Sequence, residues 1–267
     1  AAGTLYTFPE NFRAFKILIA SRYSGTKIDV PDFTLGESNK TEKFLKNFSL
    51  GKVPAFLTKD GQPIFESNAI AYYVGSDKLR GSNPLDVAHV QQWINFGDNE
   101  ILPAACTWVF PCLGITQYNK SASEQAKEQA KKALQVLNSH LASRTYLVGE
   151  RVTQADISVC CNLLHLYQYV LDPATRKPFQ NVNRWFTTLI NQPEFKAVIG
   201  TFSLCEKAGQ FDAKRYAELH SGGDKSTPGK KDKKKPAQDQ QPKKAEKKKE
   251  EPKKKEQRSR RRKMCIE

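Results

Sequence analysis

The residues with most chemistry to offer lie in the first third of the chain, at Val53-Pro54 and Glu66-Ser67. A proline opening a strand can be cis at a cost of about 0.5–1 kcal/mol, and the cis bond turns the backbone N–H and C=O of the preceding residue outward. Val53 could then pair with an extended peptide as a neighbouring strand would. Ser67 stands where a helix should begin, and there free N–H groups and the positive end of the dipole favour a carboxylate. Glu66 beside it could hold an ammonium group. Together the two motifs would grip a zwitterionic amino-acid end, although singly each also reads as a hairpin proline and an ordinary serine cap.

The elements needed to position these residues can be read from periodicity. Thr4 to Phe8 reads as a strand, and Glu10 to Ala20 as a helix, with Phe12, Phe15 and Ile19 at helical spacing. Lys27 to Phe33 reads as a short strand, and Thr41 to about Asn47 as a short helix. Residues 54–58 and 63–66 form a hairpin with Asp60-Gly61 at its tip, and Ser67 caps a helix reaching about Leu79. The order is βαβ followed by αββα, closing at a linker over Arg80 to Asn83.

Strand signals nearly vanish beyond the linker. Asn83-Pro84-Leu85-Asp86 starts a helix with a cap, a proline at its first position and a carboxylate three residues on. Ser121 to Glu124 and Thr153 to Asp156 are two further capping boxes. The second precedes Ile157 to Val170, too apolar all round for a surface helix and so expected at the centre of the bundle. Shorter helices follow around Trp185-Phe186 and Phe195.

Charge divides the chain more sharply than hydropathy does. Of 43 Lys and Arg and 28 Asp and Glu, 19 and 8 fall in residues 221–267, so this tail carries net +11 of the total +15. The tail lacks the apolar residues to bury a core and reads as a disordered, Lys/Arg-rich segment ending in Arg258 to Lys263. No stretch approaches the roughly 18 to 20 apolar residues of a membrane span, and the first residues have no signal-peptide pattern. The six cysteines lack CxxC spacing, which argues against a metal site or disulfide framework and for reduced thiols.

In combination, Val53-Pro54, Glu66-Ser67 and the box Thr153-x-x-Asp156 resemble the glutathione transferase family. The resemblance implies an α/β thioredoxin-like domain over residues 1–80, an all-α domain over 84–220 and the disordered basic tail over 221–267. It implies glutathione as a ligand held by Val53, Pro54, Glu66 and Ser67, with Thr153 and Asp156 as a structural capping box. Catalysis in that family needs a hydroxyl just after the first strand to stabilise the thiolate. Here Asn11 stands at that position, with Glu10 beside it disfavouring an anion.

A closer likeness lies in Ala1 to Thr7, Pro9 to Lys16, Gly51 to Phe56 and Asn181 to Phe186. These segments, with the Lys-rich region after a transferase-like body, resemble the gamma-subunit family of eukaryotic translation elongation factor 1. The resemblance implies a non-catalytic, cytoplasmic scaffold that requires no cofactor and binds beta- and delta-type exchange subunits through residues 1 to about 215. Through them it would serve the alpha GTPase and aminoacyl-tRNA. It also implies a further C-terminal domain, where this sequence ends at Glu267, and homodimerisation as in other transferase folds. An active glutathione transferase and a polyanion- or RNA-binding protein acting through the tail are the competing readings. Partner contact is expected through exposed aromatic and apolar residues of the first domain, and the sequence does not say which of Phe33, Phe44, Phe48 and Tyr72 face outward.

Overall fold

The computed structural model describes residues 1–221. The expected disordered tail therefore lies, Ser221 apart, outside the described residues.

The first strand, β1 (Gly3–Tyr6), leads through a tight loop into α1 (Phe12–Ser24). That helix begins two residues later than its periodicity predicts because Asn11 caps it, accepting from Arg13 N at 3.1 Å. It ends at Gly25, which has φ 72° in the left-handed region open to glycine. The strand expected over 27–33 shrinks to one parallel bridge, Thr4 with Asp29. Pairing there runs through Ala2 N to Lys27 O, Leu5 N to Asp29 O and Asp29 N to Gly3 O. Pro31 has no N–H with which to continue it.

Next come α2 (Glu42–Asn47), capped by Thr41, and the hairpin of β2 (Ala55–Thr58) and β3 (Pro63–Phe65). The sheet order is β1-β2-β3, antiparallel throughout, with Leu5 opposite Phe56 and Phe56 opposite Ile64. α3 (Ser67–Val74) follows. Ser67 is its first residue and Glu66 occupies the cap, a shift of one from the predicted start. The helix stops at Gly75, short of the expected Leu79, which instead belongs to a 3-10 turn over Asp77–Leu79. Both faces of the sheet are covered: Leu5 and Phe56 join the main core, while Phe44 and Phe48 of α2 pack with Ala55 and Tyr6 in a second cluster.

The helical region opens with α4 (Pro84–Phe96), continues through a π turn over Gly97–Ile101 into α5 (Leu102–Val109), and adds α6 (Lys120–His140) and α7 (Gln154–Tyr169). The short α8 (Pro173–Arg176), α9 (Gln180–Ile190), α10 (Pro193–Ile199) and α11 (Ala213–His220) complete the described fold. Asn83 caps α4 as expected, but Asp86 returns its hydrogen bond from Ser82 N rather than from the cap backbone. The capping box expected at Ser121 to Glu124 does not form. Asn119 caps α6 instead, accepting from Ala122 N at 3.0 Å, and Glu124 turns outward to Lys127 at 2.8 Å.

α7 is the central helix, buried on nearly every side as its composition required. Its Asp156 is fully buried and accepts four hydrogen bonds, from Thr153 N and Oγ1, Leu147 N and Trp185 Nε1, all at 2.9–3.0 Å. The predicted box therefore also ties α7 to α9 and to the loop after α6. α1 packs on α3 and on α7 together, so the thioredoxin-like and helical regions share one core.

Candidate functional site

The Val53-Pro54 bond is cis, as expected from sequence. It lies between α2 and β2, and its Val53 borders a cleft of about 740 Å³. Pro54, Glu66 and Ser67 line the same cleft, so the four residues singled out for a peptide ligand are brought together. Glu66 is exposed and has φ 70°, an unusual conformation for a residue with a Cβ. That backbone turn carries the chain from β3 into α3, leaving Ser67 buried at the first turn and the Glu66 carboxylate free in the opening.

Asn11 falls outside this arrangement. It is buried, its Nδ2 donates to Thr7 Oγ1 at 3.1 Å and its Oδ1 caps α1, and it is not part of the cleft wall. Thr7 spends its own hydroxyl proton on Phe8 O at 3.2 Å. Tyr6 is packed against Phe44 and Phe48. The neutral polar side chains of the β1–α1 connection, Thr7 and Asn11, are thus consumed by local structure, while Glu10 is exposed.

Charged residues that the sequence reading passed over supply the α1 side of the cleft. Arg13 and Lys16 line it, as does Asp98 from the π turn. Lys16 is 1% exposed and donates to Asp98 Oδ1 at 3.0 Å; burial lowers the pKa of its amine while the carboxylate partly restores it. Asp98 also accepts from Asn162 Nδ2 at 2.9 Å and from Asn68 Nδ2 at 2.6 Å. Asn68 in turn receives Ser158 Oγ at 2.9 Å and, on its backbone carbonyl, Gln154 Nε2 at 2.7 Å. This chain of bonds fixes the first turn of α3, and so Ser67, against α1 and α7.

Gly97 permits the close approach: a Cβ there would meet Asn162 Nδ2 at 2.9 Å and Val159 Cγ2 at 3.2 Å. A signal for Lys16 was present, since a lysine interrupts the buried face that Phe12, Ile19 and Ala20 define. Asp98 gave none, because only the fold brings it within reach of α1.

Of the four aromatic residues considered for partner contact, Phe44 and Phe48 are buried, Phe33 is half-buried and Tyr72 is exposed. Tyr72 carries the Arg80 guanidinium over its ring at 4.1 Å. No group of three or more potential metal ligands occurs among the described residues. The described cysteines are all unpaired; burial pushes the Cys161 thiol up to about 12 and that of Cys160 well above its ordinary value. No helix among the described residues is long and apolar enough to cross a membrane.

With this geometry in view, the relationships of the chain are consistent. The family description "Glutathione S-transferase, N-terminal domain" matches residues 1–76, and "Glutathione S-transferase, C-terminal domain" matches residues 101–193. Elongation factor 1-gamma of Artemia salina is 63% identical over 221 residues, 82% of this chain and 51% of that protein. Elongation factor 1-gamma-A of Xenopus laevis is 59% identical over 85% of this chain and 53% of that protein. The chain thus spans about half the length of the curated relatives it matches.

The solved GST-like domain of elongation factor 1-gamma from Saccharomyces cerevisiae superposes with a TM-score of 0.69 at 23% identity, covering 79% of this chain and 99% of that one. Glutathione transferase F2 from Populus trichocarpa gives 0.67 at 23% identity over 74% and 97%. A thioredoxin-like domain and a helical domain sharing one core, high identity to the gamma proteins and a matching solved fold place this chain in the elongation factor 1-gamma family, with the glutathione transferase fold.

Proposed function

We propose that the chain is a non-catalytic scaffold subunit of the elongation factor 1 nucleotide-exchange complex, working in the cytoplasm. Its transferase-like body binds beta- and delta-type exchange subunits and through them supports the alpha GTPase and aminoacyl-tRNA delivery. The observation that carries this reading is the 63% identity to an elongation factor 1-gamma across 82% of the chain. The commitment of Asn11 to the α1 cap supports the non-catalytic part, since no neutral hydroxyl from the β1–α1 connection reaches the cleft. Residues 1–221 used as bait at low salt should retain an exchange subunit; recovery of none under those conditions overturns the scaffold reading.

A second reading concerns the cleft. Val53, Pro54, Glu66 and Ser67 lie on one surface, and this favours glutathione as a ligand bound without efficient turnover. The γ-glutamyl carboxylate would meet the first turn of α3 and the Ser67 hydroxyl, and the ammonium group would meet Glu66. Retention on glutathione-agarose with little conjugation of a chloronitrobenzene is the expected outcome. Ser67→Ala should weaken retention about fivefold to tenfold, the equivalent of one ordinary hydrogen bond of about 1–1.4 kcal/mol.

A further inference from the structure

The surface around α2 differs in charge from the rest of the folded body. The body carries 24 basic and 20 acidic side chains, net +4, and the thirteen residues from Lys40 to Lys52 hold four lysines against one acid, Glu42. That short stretch therefore accounts for +3 of the total. Lys40, Lys43, Lys46 and Lys52 are all exposed, and among the described residues no carboxylate lies within ion-pairing distance of any of them. Local structure sets their direction. α2 buries Phe44, and Phe48 just beyond its end, against Ala55 and Tyr6, so Lys43 and Lys46, three positions apart, share its outer face. Lys40 stands three positions earlier, on the 3-10 turn over Ser38–Lys40.

Apolar side chains accompany the lysines at the mouth of the cleft. Leu35, Leu50 and Phe65 line it together with Lys52 while remaining 54%, 72% and 61% exposed. One exposed leucine is ordinary, but three large apolar side chains on one rim form a patch whose hydration is unfavourable. Asn39 holds this rim in shape, its Nδ2 donating to Gly51 O at 2.8 Å and its Oδ1 accepting from Gly36 N at 2.6 Å. The loops carrying Leu35 and Leu50 are thereby tied through one side chain. Gly51, with φ 59°, permits the approach: a Cβ there would meet Asn39 O at 3.2 Å and Leu45 Cδ2 of α2 at 3.4 Å.

Unpaired lysines beside an apolar, concave rim restrict what can bind. A nucleic acid would satisfy the lysines but would place its bases on leucine side chains, which offer no ring for stacking. An anionic lipid surface would meet the lysines without entering a cleft of about 740 Å³. A polypeptide with carboxylates around apolar side chains satisfies both the charge and the rim. We propose that α2 and the cleft rim form the docking surface for an acidic segment of a protein partner, with carboxylates on the four lysines and apolar side chains on Leu35, Leu50 and Phe65. The inference rests on the reading that the body binds an exchange subunit, and it assigns that contact to one face.

The test measures the affinity of the full chain for a beta-type exchange subunit at a series of salt concentrations, with the unfolding midpoint of each variant as a check on the fold. The wild-type chain should bind, and more weakly as salt rises, because exposed charges are screened. Lys43→Glu combined with Lys46→Glu should weaken binding at low salt by about tenfold or more and flatten the salt dependence, at an unchanged midpoint. Leu50→Ser should weaken binding and keep the wild-type salt dependence. Lys131→Glu combined with Lys132→Glu, an equal change of net charge on exposed positions of α6, should have little effect.

Wild-type affinity in the α2 pair or in Leu50→Ser overturns the inference and leaves the scaffold reading intact. So does an equal loss in the α6 pair, which would make the effect one of net charge alone. Displacement of the subunit by a short oligouridylate that no longer binds the α2 pair would make this face a nucleic-acid site, and overturns the inference as well. A wild-type chain that binds no exchange subunit overturns both readings.

Discussion

Asp156 shows how much one side chain can hold in place. Its carboxylate is removed from water, which raises its pKa, and the four donors from Thr153, Leu147 and Trp185 act in the opposite direction. Replacing it with Ala would leave the Trp185 indole N–H and two backbone N–H groups buried without partners, at about 1–3 kcal/mol each. Asp156→Ala is therefore expected to lose about 3 kcal/mol or more in urea unfolding, whereas a loss under 1 kcal/mol would mean that water replaces the carboxylate. Two histidines give the fold a pH dependence of definite sign. His140 and His165 both titrate below the usual 6.5 because burial disfavours the charged ring, with Arg13 adding to the effect at His165. Below 6.5 the unfolded chain then binds more protons than the folded one, so their stability contribution is complete above 6.5 and is lost as pH falls through the folded values. Unfolding free energy should drop as the pH falls below about 6.5, and His165→Phe should flatten part of that slope.

At the scale of elements, α1 is the piece on which the site depends. Its apolar face packs against both α3 and α7, and Lys16 from that face reaches Asp98 across the boundary between the two regions. Removing the acid leaves a buried ammonium unpaired, while removing the base with an apolar chain of similar length leaves Asp98 its two asparagine donors. Asp98→Ala should consequently be less stable than Lys16→Met by about 2 kcal/mol, discounted because Asp98 is one-third exposed. Equal stabilities would show that the ion pair is not what seats α1 on the π turn. The same elements show where sequence signals suffice. Helix caps at Asn83 and Thr153 and the hairpin between β2 and β3 lie where local residue chemistry puts them, since each needs only neighbours three or four positions away. Ser121 to Glu124 had the same local credentials, yet Asn119 started α6 earlier, because two adjacent caps compete and only one can begin the helix.

For the molecule as a whole, the net charge of +15 describes the last 47 residues more than the folded body, which carries 24 basic and 20 acidic side chains. A chain ending at Ser221 should unfold at an unchanged midpoint and keep subunit retention. It should also lose polyanion binding together with the steep fall of affinity with salt; persistence of that salt slope would place the basic surface on the body instead. The sequence by itself determined the order of strands and helices, the helical character of the chain beyond the linker, the caps at Asn83 and Thr153 and the central burial of α7. These follow from periodicity, from backbone constraints at Pro and Gly, and from short-range hydrogen bonding, all of which act over a few residues. Tertiary structure decided what the cleft contains. Asn11 has the right position in the chain to face a ligand and is consumed as a cap, whereas Arg13, Lys16 and Asp98 enter the cleft because α1 is clamped between α3 and α7. Lys16 and Asp98 are 82 positions apart, and pairing over that separation is set by how helices pack, which no local pattern encodes.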